Sequence, residues 1–314
     1  MRMKVYAVTA FLSLGAIFIL GTTDALAADL KKTIAVSRFE NNVDAAGQAA
    51  LGTAMADQLA DALIQSHNFV VIERQTLEDV VAEQDIAASG RAAVSQTAQT
   101  GRIIPVQILV KGAVTEFDAE TSKGGAGLSV SGISLGSSRT SAHVAVILRI
   151  IDTTTGQVLD SIRVEGEAKA KGMKIGVSKG NVDFGSEDFK KTPLGKATQI
   201  AIDNAVVELI IKLAKLPFEG RIIKIEGDTV YINIGQRNGI ASDAVLNVFD
   251  PGEALVDPVT GENLGSERTR VGSLKIQSIE EKYSKAAAQS GGPFAIGMIL
   301  TEPGAETMAG KVQQ

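Results

Sequence analysis

A strict alternation of apolar or small residues with charged residues runs through residues 162–171, which read IRVEGEAKAK. Side chains point to alternate faces of a β-strand with a period of two residues. The pattern therefore predicts a strand with one apolar or small face and one ionic face, whereas a helix would spread the charges around its circumference. Two environments fit such a strand: an amphipathic sheet with its charged face in water, and a β-barrel wall between lipid and a wet lumen.

Strands and helices alternate in the residues that precede this stretch. Short apolar runs at residues 33–37, 69–72 and 108–114 predict buried strands. A helix is expected after the second of these runs. Another helix, between the first two strands, is predicted by four apolar residues at i+4 spacing, namely Leu51, Met55, Leu59 and Leu63. This order of elements is typical of an α/β layer arrangement.

Segments with the character of two β-hairpins follow the third strand. The first hairpin contains a Gly/Ser-rich segment at residues 121–141, followed by an alternating strand. The composition of residues 152–156, DTTTG, predicts a tight turn that leads directly into the second hairpin. The alternating stretch described above would be the first arm of that second hairpin.

A helix and a second domain complete the chain. Thr192 as N-cap and Pro193 at the first helical position predict the start of a helix that closes the domain of residues 28–216. Residues 217–302 are short strands punctuated by Gly and Asp turns, which predicts an all-β, SH3-like small barrel. We expect residues 303–314 to be a disordered tail. The predicted fold class is α+β, an N-terminal α/β domain with two extended hairpins followed by the barrel.

The N-terminus has the pattern of a secretory signal peptide over residues 1–27. Arg2 and Lys4 supply positive charge, an apolar run follows, and residues 25–27 form an A-x-A cleavage site. A retained membrane anchor is the alternative, although the run is short for a span of about 20 residues. The mature chain is expected to begin near Ala28 and to work outside the bacterial cytoplasm.

The residue types needed for catalysis are scarce. Cysteine is absent, which removes disulfides, thiolate chemistry, Cys-based metal sites and the lipid anchor that follows many bacterial signals. The two histidines, His67 and His143, are far apart in sequence and make a poor metal or triad set. Residues 257–262 offer oxygen ligands for Ca²⁺, but their composition favours a turn. We expect no enzymatic activity, no cofactor and no bound metal.

Two further properties of the composition bear on partners. The net charge of −5 gives no sign of a nucleic-acid partner. Tryptophan is absent and other aromatic residues are few. Outer-membrane barrels usually carry aromatic girdles at both interfaces, so this shortage argues against a lipid-facing wall.

Three segments resemble the CsgG/HfaB family. They are residues 69–75 (FVVIERQ), residues 108–112 (ILVKG), and residues 117–159 with their GGAG run and TGQVL turn. Their order and spacing carry the resemblance, which covers roughly residues 33–215. Residues 217–302 are not part of the curli channel and more loosely resemble the barrel at the end of the flagellar protein FlgT, through a DPVTGE turn.

The resemblance implies a periplasmic α/β domain that assembles into a homo-oligomeric ring. Each subunit would donate two hairpins, at about residues 117–152 and 158–189 of this chain, to a shared barrel in the outer membrane of a Gram-negative bacterium. The channel would export unfolded subunits of surface fibres or adhesins without nucleotide hydrolysis. A single chain supplies only about four strands, too few to close a barrel, so neighbours must pair. The family's lipid-anchored cysteine is missing here.

The same resemblance assigns positions to the site. The expected lumen-facing side chains are Arg163, Glu165, Glu167, Lys169 and Lys171. The opposite, lipid-facing or packed side chains are Ile162, Val164, Ala168 and Ala170. The region of the family's constriction loop is occupied by Asn41, Asn42, Val43 and Asp44. This loop is shorter than in the curli channel and lacks its aromatic and amide residues, which makes a narrow gate doubtful.

Two functions remain open at this stage. The first is an outer-membrane-associated, ring-forming secretion or assembly component, with secreted fibre or adhesin subunits and accessory periplasmic proteins as partners. The alternative is a soluble periplasmic interaction or scaffold protein that has the same fold and no pore. An enzyme is a distant third.

Overall fold

The computed structural model describes residues 30–43, 48–92, 98, 100, 103–123, 129–130, 133–134, 138–171, 184, 186–261 and 263–304. Several predicted features lie outside the described residues: the signal peptide at residues 1–27, Asp44, residues 172–183 of the second hairpin, and the tail from residue 305. Residues 187–189, at the end of the range expected for that hairpin, instead begin a short helix, where the Ser186 hydroxyl accepts a hydrogen bond from the Phe189 amide at 3.2 Å.

The N-terminal domain contains eight strands and four helices in its described part. The strands are β1 (Lys32–Val36), β2 (Glu40–Asn41), β3 (Phe69–Val71), β4 (Ile108–Lys123), β5 (Ser129–Val130), β6 (Ile133–Ser134), β7 (Ser138–Asp152) and β8 (Val158–Lys171). The helices are α1 (Gln48–Ser66), α2 (Leu77–Ala88), α3 (Glu187–Lys191) and α4 (Pro193–Ala214).

Six of these strands form one mixed sheet. The strand order is β3-β1-β4-β7-β8, with β2 beside β4, while β5 and β6 form a separate two-stranded ribbon. Strand β1 runs parallel to both β3 and β4, because the helical connections between these strands bring the chain back to the end of the sheet from which the previous strand started. The pairs β4–β7 and β7–β8 are antiparallel and account for the longest ladders. Residues 153–157 make the tight turn between β7 and β8 that the sequence predicts.

Helices α1 and α4 cover one face of this sheet and form its core. The predicted stripe on α1 is buried and packs with the sheet residues in a single cluster, which confirms that assignment; its members are Leu51, Met55, Leu59 and Leu63. Helix α4 begins where predicted, because the hydroxyl of Thr192 accepts a hydrogen bond from the Gly195 amide at 3.0 Å. Helix α2 is mostly exposed, with Gln84 as its buried residue.

The C-terminal domain is a closed barrel. Its strands are β9 (Gly220–Glu226), β10 (Thr229–Ile232), β11 (Val245–Asp250), β12 (Ala254–Val256), β13 (Asn263–Ser266), β14 (Thr269–Ile279), β15 (Ser284–Gly291) and β16 (Ile299–Thr301). The barrel closes in the order β10-β15-β14-β11-β16-β9, and β12 and β13 form a ribbon of their own. A second hydrophobic cluster fills the barrel, separate from the core of the first domain.

The first described residues of the chain pack into this barrel and form hydrogen bonds with it. Leu30 is buried in the barrel core, and its amide donates to Glu302 Oε1 at 3.2 Å. The Lys31 amide donates to the carbonyl of Asn238 at 2.8 Å, and Asn238 Nδ2 donates back to the Lys31 carbonyl at 3.2 Å. The two domains are therefore joined at the N-terminal strand as well as by the chain after α4.

The α+β fold class and the small C-terminal barrel are confirmed by this architecture. Within the described ranges, no helix combines the length and the apolar character needed to cross a membrane.

Candidate functional site: an ionic face on the sheet

The alternation at residues 162–171 lies on β8, at one side of the sheet. The odd-numbered side chains from Arg163 to Lys169 are exposed, and they point away from α4. Lys171 ends the strand, with its backbone paired to Arg139 of β7. The charged side chains therefore share one face of the strand, as period-two geometry requires.

The even-numbered positions of β8 pack inward. Ile162 and Val164 are buried in the core of the domain, at 6% and 4% exposure. Ala168 and Ala170 are half-buried further along. In this single chain, the first half of the strand thus has its apolar face covered by the chain's own helix.

Gly166 makes the closest approach between β8 and α4. A Cβ atom at Gly166 would lie 2.0 Å from the Ala197 carbonyl oxygen and 2.6 Å from the Ala201 amide nitrogen. Beside it, Asn204 Nδ2 donates to the Glu165 carbonyl at 2.9 Å. The missing side chain lets the helix backbone lie directly on the strand.

The exposed side of β4, β7 and β8 carries a continuous set of charges, which we call the ionic face. Its members are Glu116, Asp118, His143, Arg163, Glu165, Glu167 and Lys169. Glu116 is central: one carboxylate oxygen accepts from Arg163 NH2, and the other lies 2.9 Å from His143 Nε2. Arg163 Nε also donates to Glu165 Oε1 at 2.7 Å. The three strands are thereby linked through their side chains.

His143 lies between two carboxylates of neighbouring strands. Its Nδ1 is 3.8 Å from Glu167 Oε1, on the side opposite Glu116. The described residues contain no group of three His, Asp or Glu side chains able to hold a metal. The arrangement around His143 is an ion-pair network.

The ion pairs shift the pKa values of the acidic groups on this face. The hydrogen bond from Arg163 holds the pKa of the Glu116 carboxyl below its usual value, and the same bond raises the pKa of Arg163. At the edge of the sheet, the hydrogen bond from Lys111 lowers the pKa of Glu40 in the same way. These carboxylates are therefore ionised at neutral pH.

A β-bulge brings Glu116 to the ionic face. The register of β4 against β7 shifts between Val114 and Glu116, so Thr115 is the extra residue. Up to Val114, the even-numbered side chains of β4 point into the core. After the bulge, the odd-numbered Phe117 points inward instead. The sequence analysis did not identify Glu116 or Asp118 as site residues. The change of apolar phase between Val114 and Phe117 was the signal that could have found them.

The region of the expected constriction loop lies beside β4. Asn41 belongs to β2 and pairs with Val114, and the Asn42 amide donates to the Val114 carbonyl at 3.0 Å. Asn41 Oδ1 accepts from the Val43 amide at 3.3 Å. These three residues are thus held against the sheet edge.

Phe39 anchors this segment to the domain. Its ring lies on Gly112, where a Cβ atom would fall 2.4 Å from the ring, and its carbonyl oxygen lies 2.3 Å from the Cβ position of Gly52. Next to it is a cavity of about 70 Å³, lined in part by Glu40, Asn42 and Lys111. Small-molecule pockets are usually several-fold larger, about 300–1,000 Å³.

Three phenylalanines mark where the helical layer ends along the sheet. The rings of Phe117 and Phe184 are 5.8 Å apart, and those of Phe184 and Phe189 are 5.4 Å apart. They close the core beside Gly166, before the last residues of β4 and β8 and the first residues of β7. Sequence reasoning missed this cluster because its members come from separate segments.

A family model described as "Curli production assembly/transport component CsgG" matches residues 19–238. The chain belongs to the CsgG family. The match covers the whole sheet, helices α1 to α4 and the first two barrel strands. The CsgG family is a transport and assembly family and not an enzyme family.

Curated relatives agree with this assignment at low identity. The curli production assembly/transport component CsgG of Escherichia coli strain K12 is 24% identical over 192 residues, which is 57% of this chain and 65% of that protein. The Citrobacter koseri protein of the same description is 25% identical over 150 residues, 46% of this chain and 51% of its own length. The chain spans less than two thirds of these CsgG relatives.

Solved structures with local likeness include the hypothetical protein CT253 from Chlamydia trachomatis, at 13% identity, 57% of this chain, 96% of that chain and a TM-score of 0.34. The PelC dodecamer from Paraburkholderia phytofirmans is 15% identical over 59% of this chain and 90% of that chain, with a TM-score of 0.29. Superpositions at this level support no conclusion about how a CsgG-family chain assembles or acts.

Proposed function

We propose that the chain is a ring-forming component of a secretion or assembly apparatus associated with the outer membrane of a Gram-negative bacterium. Its task would be to export or assemble surface fibre or adhesin subunits, as the names of its curated relatives suggest. Membership of the CsgG family supports the general class. The single observation that carries the specific proposal is the ionic face on strands that run beyond the helical layer.

The dimensions of these strands suit a membrane-crossing wall. Strands β4 and β8 contain 16 and 14 residues, and their last residues extend past the phenylalanine cluster. A transmembrane strand needs about 9–11 residues, so the distal parts of these strands together with the connecting segments supply enough chain. Strands from neighbouring subunits would close the barrel.

The ionic face would line the lumen. Its charges are of both signs and many are already paired, as Arg163 is with Glu116 and Glu165. Such a surface stays hydrated but attracts a passing unfolded chain only weakly, because each charge is partly neutralised. That combination favours transit over binding.

The first test is whether the mature chain forms rings and conducts. Electron microscopy of the detergent-extracted protein should show rings with a central hole, and planar bilayers should show channels. Glu167→Lys, on the ionic face, should shift the reversal potential in a salt gradient towards anion selectivity. Asp203→Lys, exposed on α4, should leave it unchanged. A monomeric protein without conductance would contradict the proposal.

A soluble periplasmic scaffold with the same fold is the second candidate. The observation in its favour is that Ile162, Val164 and Gly166 are already covered by α4, so this part of β8 presents no apolar face to lipid. Membrane fractionation separates the two functions. Release of the chain by carbonate washing would favour the scaffold, whereas retention with outer-membrane proteins would favour the channel.

A further inference from the structure

The ribbon of β12 and β13 exposes apolar side chains on both of its faces. Leu255 and Val256 are neighbours in β12, so they point to opposite faces, and they are 57% and 54% exposed. Val259 in the turn is 91% exposed and Leu264 in β13 is 63% exposed. In the described part of the chain these two strands pair with each other and with no barrel strand. An isolated two-stranded ribbon is marginally stable in water, and exposed apolar patches of this kind commonly mark interaction sites.

The charge of the ribbon indicates which kind of surface could cover it. Residues 253–267 contain no lysine or arginine and four acidic residues, Glu253, Asp257, Glu262 and Glu267. An anionic lipid surface would repel this segment. An apolar surface that also carries cations would be complementary to it.

The same barrel carries such a surface on β9, β10 and β15, which we call the tyrosine platform. The rings of Tyr231 and Tyr283 are 6.1 Å apart, and the ammonium groups of Lys224 and Lys285 lie 5.5 and 5.8 Å from the Tyr231 ring centre. Exposed Ile223 adds apolar area. Outside the signal region the chain has no other tyrosine and no tryptophan, so its interface-type aromatic residues are concentrated here.

The charges around the tyrosine platform place the cations at its centre. Glu226 is paired with Lys224 and accepts from the Tyr231 hydroxyl, so the charge of Lys224 is largely neutralised and Lys285 supplies the remaining positive charge over the ring. Lys282, exposed next to Tyr283, adds a further cation. Acidic residues of the adjoining turns lie at the two ends, Asp228 at one and Glu280 with Glu281 at the other. An acidic apolar ribbon would therefore be seated across the middle of the platform.

A chain cannot cover its own tyrosine platform with its own ribbon. Strands β10 and β11 are separated by two strands in either direction around the six-stranded barrel. The ribbon continues from the paired ends of β11 and β14, at Asp250 and Thr269, on the wall opposite the platform. The contact therefore requires a second copy of the chain.

We propose that the β12–β13 ribbon of one copy docks on the tyrosine platform of the next copy. The two surfaces are different and lie on opposite walls, so the contact is head-to-tail and can close into a ring. The inference rests on the proposed ring and adds a second, C-terminal interface to it. This interface would join neighbouring barrels. The ribbon, Tyr283 and Lys285 lie beyond the family match, which ends at residue 238, whereas Ile223, Lys224 and Tyr231 lie within it.

Engineered cysteines test this contact without background, because the chain contains none. Val259→Cys combined with Ile223→Cys should give a ladder of disulfide-linked oligomers when the full mature chain is oxidised. Mixing the two single variants should give a crosslinked dimer, whereas either alone should not. The matched control pairs Val259→Cys with Gln277→Cys, exposed on β14, and should stay uncrosslinked. Replacing both tyrosines by serine should lower the crosslinking yield at least about tenfold, the loss expected from removing a 1.4 kcal/mol contact.

Three other outcomes would overturn the inference, and a fourth would support it while contradicting the proposed channel. Self-crosslinking of Val259→Cys alone, as strong as in the mixture, would indicate a symmetric contact between ribbons. A fluorophore at this cysteine that shifts to the blue with phosphatidylcholine vesicles would indicate lipid as the occupant. Rings seen by microscopy without any crosslink would contradict the contact between ribbon and tyrosine platform but not the proposed function. Crosslinks without rings or conductance would support the contact between ribbon and tyrosine platform and would contradict the proposed channel function.

Discussion

Gly166 of β8 lies directly against Ala197 of α4, since a Cβ atom at Gly166 would fall 2.0 Å from the Ala197 carbonyl oxygen. The close approach sets the distance between sheet and helix. It also agrees with which side of the alternating strand is inside, because Gly166 has no side chain and its even-numbered neighbours Ile162 and Val164 are apolar. The ionic face is the consequence on the other side of the same strand.

Replacing Gly166 by alanine should therefore destabilise the domain. The added methyl must displace α4 or β8, and overpacking of this kind costs about 1–3 kcal/mol of the free energy of unfolding. Denaturant unfolding of the mature chain measures the loss. Lys169→Ala, on the exposed face of the same strand, should change the free energy by less than about 0.5 kcal/mol. Equal effects of the two substitutions would contradict the packing seen at Gly166.

The contact between Phe39 and Gly112 predicts a compensating pair. Gly112→Ala places a methyl 2.4 Å from the Phe39 ring and should destabilise by about 1–3 kcal/mol. Phe39→Leu shortens the side chain and leaves room for that methyl. The double variant should be more stable than the sum of the single losses by about 1 kcal/mol, which a double-mutant cycle measures. Simple additivity would show that the residues do not touch.

The packing of Leu30 into the barrel predicts that a substitution at this residue destabilises the distant C-terminal domain. Because Leu30 is buried in the barrel core, Leu30→Ala should lower the free energy of unfolding by about 2 kcal/mol, the lower end for buried leucines. Hydrogen exchange should show the loss in β9 to β16. Ile64→Ala, half-exposed on α1, is the control and should stay within about 0.5 kcal/mol. Unchanged protection from hydrogen exchange in the barrel strands would contradict the contact between Leu30 and the barrel core.

The lowered pKa of Glu116 predicts a pH dependence of stability. Its carboxyl is held ionised mainly by Arg163, so the folded state has the lower pKa. The stabilisation is fully present above the unfolded pKa of about 4.3 and is lost as the pH falls through the lowered folded value. The difference in Tm between the natural chain and Glu116→Gln should be largest at neutral pH and vanish in acid. A difference that grows as the pH falls would refute the assigned sign.

Local sequence patterns predicted much of the fold. The i+4 stripe on α1, the Thr192–Pro193 start of α4 and the alternation on β8 are each set by neighbours within a few residues. Periodicity reports such local geometry directly. The order of the domains and the small barrel followed from turn residues in the same way.

Partners of the candidate site could be predicted only in part. Arg163, Glu165 and Glu167 were placed on one face by alternation, but Glu116 and His143 were not placed beside them. Their approach depends on the register of three strands and on the bulge at Thr115, and a one-residue slip would have moved them to the core side.

By itself, the sequence determined where strands and helices lie and that β8 has one charged face, because these properties repeat along the chain with a fixed period. Tertiary structure alone decided what covers the other face, since that depends on Gly166 meeting Ala197 across the core. It also alone joined Leu30 to Glu302, 272 residues apart, and set the ribbon and the tyrosine platform on opposite walls. Contacts of this kind arise from packing and barrel closure, which no local pattern encodes.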